Sequence, residues 1–230
     1  MKNLLLYSLF FLCFSSFKSG KKASNLDFNF AENYCRKINE DVQKTAYKYA
    51  LNSDEIIPII YPECSRFSSI SNIFETSILE YFYVQNDCKT TSGADFSIGY
   101  FQMKPSFIEN LEEIILNDTI FQKQKSKFTY KSKNVKEIRA ARLDRLMNQA
   151  WQIEYLCCFV KFMKNRYLEE KIEIDQISFC SAAYNYGFQN SSKEIIEWTK
   201  VRAFPNGIKN QSENYIYSEL AKDYQKNMRN

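Results

Sequence analysis

From Val135 to Glu169 the chain places Leu143, Leu146, Ala150, Ile153, Leu156 and Val160 at the spacing of one helical face. Apolar residues three and four apart form a stripe that an α-helix must bury. A pattern this long predicts a helix at the centre of a core, continuous or broken at a kink. Gly numbers 5 and Pro 4 in 230 residues, so few positions can interrupt such elements. The length suits one domain with a small extension. A mainly helical fold follows.

Histidine is absent. That excludes Ser-His-Asp and Cys-His catalysis, His-ligated zinc and the HExxH proteases together. Neither GxxxxGK[ST] nor GxGxxG occurs, which argues against a nucleotide-binding enzyme, and no CxxC pair supports zinc or thiol redox chemistry. Lys and Arg number 31 against 27 acids, too mild an excess to point to nucleic acid. Carboxyl acid/base chemistry survives, with glycoside cleavage its main form.

Residues 1–20 have the character of a secretory signal. Lys2 precedes a nearly unbroken apolar run from Leu4 to Phe17, which is short for a membrane span. The alternative is a retained anchor. Without this segment, Cys35, Cys64, Cys88, Cys157, Cys158 and Cys180 remain. Their spacing matches no disulfide framework, so most are expected to be small buried residues, with at most one or two disulfides.

Residues 25–50 alternate apolar and charged positions at helical spacing, predicting an amphipathic helix laid on the domain. A second helix is predicted from Ile56 to Cys64, with Pro58 and Pro62 expected to break it. It ends in Glu63 beside apolar residues. Apolar surroundings disfavour the charged form of a carboxyl, so Glu63 is a candidate general acid. Its ordinary alternative is an ion pair with Arg66. Ser71 to Val84 predicts a further helix carrying two rival acids, Glu75 and Glu80. The lysines from 123 to 133 form a basic loop, either a solvated charge run or a contact for an anionic ligand.

Between Asp95 and Phe107, Gly99 permits a tight turn or close approach of a ligand. Gln102 offers a donor and an acceptor, suited to N-acetylated sugars. Ser106 and Glu109 fit a capping box for the next helix. Asp95 is either a second carboxylate that orients water or a turn acid. Further on, Tyr184 and Asn185 stand just before Gly187, a fitting helix end. Tyr184 could aim its hydroxyl at the acid or at a sugar, and Asn185 could hold backbone or a substrate amide. Ser191 and Glu194 suggest another capping box, and Trp198 follows; its ring suits core packing or sugar stacking.

Gly99-Tyr100-Phe101-Gln102-Met103-Lys104-Pro105 resembles the Gly-Leu-Met-Gln-x-x-Pro segment of lysozyme-like lytic transglycosylases and goose-type lysozymes. Ala183-Tyr184-Asn185-Tyr186-Gly187 resembles their Ala-Tyr-Asn-x-Gly motif. Glu63-Cys64-Ser65-Arg66-Phe67 is similar to their catalytic Glu-Ser-x-Phe, with Cys64 for Ser and one extra residue before Phe67. Glu63 also lies farther from Gly99 than is usual in the family, whereas Glu80 is near the goose-type gap.

The resemblance covers roughly residues 50 to 200. With the signal over 1–20 and the helical extension over 21–50 expected from the residues themselves, it implies a lysozyme-like (α+β) domain over 51–230, with long helices and little sheet. It further implies an exported lytic transglycosylase of a bacterial periplasm or envelope, acting on peptidoglycan without metal or cofactor. Glu63 would be the catalytic acid, with Ser97, Gly99, Gln102, Tyr184 and Asn185 binding substrate. The alternatives are a hydrolytic lysozyme helped by Asp95, a noncatalytic wall-binding protein, and an interaction domain that binds no glycan.

Overall fold

The computed structural model describes residues 26–67, 80–85 and 95–229. The expected signal, Cys88 and Glu75 lie outside them. The described chain is mainly helical, with one small sheet.

Helix α1 (Phe28–Tyr47) starts where Asp27 Oδ1 accepts the Phe30 N–H at 2.8 Å. Its apolar stripe, Ala31, Tyr34, Cys35, Ile38, Val42 and Ala46, is buried against α2 (Ser53–Arg66) and α6 (Gln149–Glu169). It therefore shares one core with the rest of the chain.

Helix α2 opens with a capping box in which Glu55 accepts the Asn52 N–H at 3.0 Å. Contrary to expectation, it runs unbroken through Pro58 and Pro62. A proline withholds the N–H that the carbonyl four residues earlier would accept. For Pro58 that carbonyl is Asp54 O, and Gln225 Nε2 donates to it instead, at 3.0 Å. Burial of Ile56, Ile57, Ile59 and Ile60 holds the helix in the core.

The predicted long helix is two helices. Helix α5 (Val135–Met147) ends at Asn148, whose side chain accepts the Trp151 N–H at 3.2 Å and starts α6. An Asn that caps one helix while ending another makes a sharp corner without Gly or Pro. Helix α6 is buried on nearly every face from Gln152 to Val160. That burial includes Cys157 and Cys158, which with Cys35, Cys64 and Cys180 are free and buried.

Helix α3 (Pro105–Asn117) has Pro at its first position, where no intrahelical donor is lost. The expected Ser106–Glu109 capping box does not form. Glu109 instead accepts from the Tyr83 hydroxyl at 2.7 Å and pairs with Arg142 at 2.9 Å. Deeper along α3, buried Glu112 accepts from Tyr130, Tyr155 and the Arg142 Nε, tying α3 to α5 and α6. A buried carboxylate is tolerable only with partners of this kind. Within the basic loop, the short helix α4 (Lys125–Phe128) directs Lys127 onto Glu154, at 2.5 Å.

Helix α7 (Gln176–Tyr186) is capped by Asp175 and crosses the core beside α6. The short helix α8 (Ser192–Trp198) carries the predicted Ser191–Glu194 capping box. Strands β1 (Arg202–Phe204) and β2 (Tyr215–Ile216) pair antiparallel, Arg202 opposite Ile216. Helix α9 (Tyr217–Arg229) then packs on α2 and α7. No helix among the described residues is long and apolar enough to cross a membrane.

Candidate functional site

A cleft of about 360 Å³ opens where the end of α2, the turn before α3 and the end of α7 meet. Glu63 and Arg66 come from α2, and Ser97 and Gln102 from the turn. Helix α3 adds Phe107 and Asn110, and α7 adds Tyr184, Asn185 and Tyr186. Residues more than 120 positions apart in sequence thus face one space.

The turn is shaped by its backbone. Ile98 and Met103 exchange two hydrogen bonds, of 2.8 and 3.1 Å, around Gly99 to Gln102. Gly99 sits at φ +72° and Gln102 at φ +52°. Gly99 does not line the cleft. A Cβ there would lie 1.8 Å from Gln152 Nε2, so the absent side chain makes room for α6 and not for a ligand. Gln152 is buried under the turn, where it donates to Ile98 O at 3.2 Å and to Leu146 O at 2.5 Å.

Gln102 lies at the cleft wall. Its Nε2 donates to Gly99 O at 2.9 Å, which leaves its side-chain oxygen as an acceptor. Tyr184 meets the cleft differently from expectation: its hydroxyl donates to Phe101 O at 2.7 Å. One proton makes one donation, so Tyr184 fastens α7 to the turn and does not donate to Glu63. Asn185 accepts from Trp198 Nε1 at 3.0 Å through Oδ1, leaving its N–H donors for the cleft. Ser97 also lines the cleft.

Glu63 is 6% exposed, and its Oε2 has no hydrogen-bond partner among the described residues. The expected ion pair with Arg66 is present but long, with Nη1 3.8 Å from that oxygen and beyond hydrogen-bond reach. Burial raises the carboxyl pKa above its ordinary 4.5, and the charges of Arg66 and Lys104 offset this only in part. Burial and the neighbouring Glu63 together push the Tyr184 and Tyr217 phenols well above their ordinary range. A buried carboxyl at the edge of a cleft, biased toward its neutral form and with an oxygen that no hydrogen bond occupies, is suited to donate a proton.

Asp95 also lines the cleft, as a helix cap. It accepts the Ser106 N–H at 3.0 Å and the Ser106 hydroxyl at 2.6 Å. Among the described residues, the carboxyls lining the cleft are therefore Glu63 and Asp95. Glu80 opens a π-helical segment (Glu80–Val84), and only its backbone is described.

Lys104, Asn110, Tyr186 and Gln189 also line the cleft and were not singled out from the sequence. Of these, Lys104 lies inside the first motif and Tyr186 inside the second, whereas Asn110 and Gln189 carried no such signal. Comparison with family models, curated proteins and solved structures gave no match.

Proposed function

We propose that this cleft cuts the glycan strand of peptidoglycan at the β-1,4 bond between N-acetylmuramic acid and N-acetylglucosamine. The observation that carries the proposal is Glu63: a buried carboxyl bordering a polar cleft, biased toward its neutral form, with one oxygen free of hydrogen bonds among the described residues. The two motif resemblances supply the substrate class. The leader-like first twenty residues accord with export to the wall.

In the proposed reaction Glu63 donates its proton to the glycosidic oxygen, and the bond from that oxygen to the muramyl anomeric carbon breaks. The leaving sugar departs with a free 4-hydroxyl. The muramyl 6-hydroxyl then bonds to its own anomeric carbon and returns a proton to Glu63. The product is a 1,6-anhydro end, no water is consumed and Glu63 is restored. Asp95 has both oxygens on Ser106, which favours this route over hydrolysis assisted by a second carboxylate. Ser97, Gln102 and Asn185 contribute polar groups for the sugars.

The test is digestion of purified peptidoglycan by the mature protein and by its Glu63→Gln variant, with mass analysis of the products. Anhydro ends from the wild type alone are expected. Reducing ends would assign hydrolysis instead. Glycan binding without products would make the protein a noncatalytic binder. Activity surviving in Glu63→Gln would move the acid elsewhere.

A further inference from the structure

Tyr186 is the last residue of α7 and lines the cleft with its ring 36% exposed. Trp198, the last residue of α8, lies flat behind it, with ring centroids 4.3 Å apart and planes 22° apart. The same indole donates from Nε1 to Asn185 Oδ1 at 3.0 Å. Tyr186 and Asn185 are neighbours on α7, so one indole fixes the ring of one and the amide orientation of the other.

This arrangement does not serve core packing alone. A ring used only for packing would be covered, whereas Tyr186 is stacked on the indole and still partly exposed where it lines the cleft. An indole N–H needs a partner when half-buried. Here that partner is a cleft residue, and the bond leaves Asn185 presenting donors. A flat apolar surface beside a fixed amide donor matches a pyranose with an acetamido group. The sugar's C–H face would lie on the ring, and its acetyl carbonyl would accept from Asn185 Nδ2.

We propose that Tyr186 is a sugar-stacking platform of the cleft, and that Trp198 is a positioning residue holding both the platform and the Asn185 donor. This rests on the glycan reading of the cleft and assigns that substrate a place in it. Loss of a ring contact of this kind is worth about 1 kcal/mol, roughly a fivefold change in affinity.

The experiment is calorimetric titration of the Glu63→Gln protein, unable to turn over, with N-acetylated chitotetraose. In that background Tyr186→Ala is expected to weaken binding about fivefold or more, and Tyr186→Phe to preserve it. Trp198→Phe is expected to weaken binding and to make a further Asn185→Ala change nearly silent, since the donor is already released. The sequence holds two tryptophans. In a Trp151→Phe background the emission of Trp198 is expected to change on saturation, a signature that a distant structural role would not give. Equal affinity of Tyr186→Ala and its parent would overturn the platform while leaving the glycan reading intact. Absence of binding by the Tyr186-containing parent would overturn both.

Discussion

Gly99→Ala should be far more damaging than a change of one methyl suggests. The residue sits at φ +72°, where an alanine costs ~1–2 kcal/mol through Cβ crowding. Its Cβ would also lie 1.8 Å from Gln152 Nε2, so Gln152 must leave its place. That breaks its bonds to Ile98 O and Leu146 O in a buried site. Leaving those groups unsatisfied costs about 2–3 kcal/mol more. The total is about 3–5 kcal/mol, a large part of a typical domain's stability. Gln152→Ala alone should cost about 2–3 kcal/mol for the same lost bonds. In the double variant the clash is gone and those bonds are counted once, so its cost should fall short of the summed singles by about 2 kcal/mol. Urea unfolding of the four proteins measures this coupling. Strict additivity, or a Gly99→Ala cost below about 1 kcal/mol, would refute the reasoning, because neither is compatible with Gln152 occupying the space of the missing Cβ.

Glu63→Gln should raise thermal stability, and by more at neutral than at acidic pH. Its folded pKa lies above 4.5, so the carboxyl's stabilising protonation is complete below that value and lost as pH rises toward the folded pKa. A neutral amide avoids the loss, and Tm measured from pH 4 to pH 8 checks the widening difference. Gln225→Ala should destabilise by about 0.5–1.5 kcal/mol, because it strips the donor that satisfies the carbonyl above Pro58. Restoring an N–H with Pro58→Ala should make the Gln225 change cheaper, read from urea midpoints. Asp95→Ala should also destabilise, by about 1 kcal/mol, through loss of its contacts at the start of α3.

Much of the architecture was legible in local chemistry. The Ser191–Glu194 pair announced a helix start through side chains that accept free N–H groups. The stripe from Tyr34 to Ala46 announced α1 because only one face of that helix is buried. Helix α6 was read from fewer signals, since burial on all faces erases the contrast between sides. The same loss hid Gln152, whose role under Gly99 depends on a contact 53 positions away. Pro58 was misread because the compensating donor at Asp54 O comes from α9, which no local rule can foresee. Likewise, local sequence context located Tyr184 and Asp95 but not their partners. The Phe101 carbonyl and the Ser106 backbone take those groups for structure and leave Glu63 as the cleft carboxyl with an oxygen that no hydrogen bond occupies.

The most direct test of Glu63 as a protonated general acid is the pH dependence of glycan cleavage, compared between the wild type and Arg66→Gln. The charge of Arg66 lowers the Glu63 pKa against the larger effect of burial. The wild type should lose kcat/KM as pH rises through a midpoint above 4.5. In Arg66→Gln that midpoint should move to higher pH, whatever happens to the maximal rate. A midpoint identical in the two proteins, or activity that only grows with rising pH, would contradict the assignment of Glu63 as the acid.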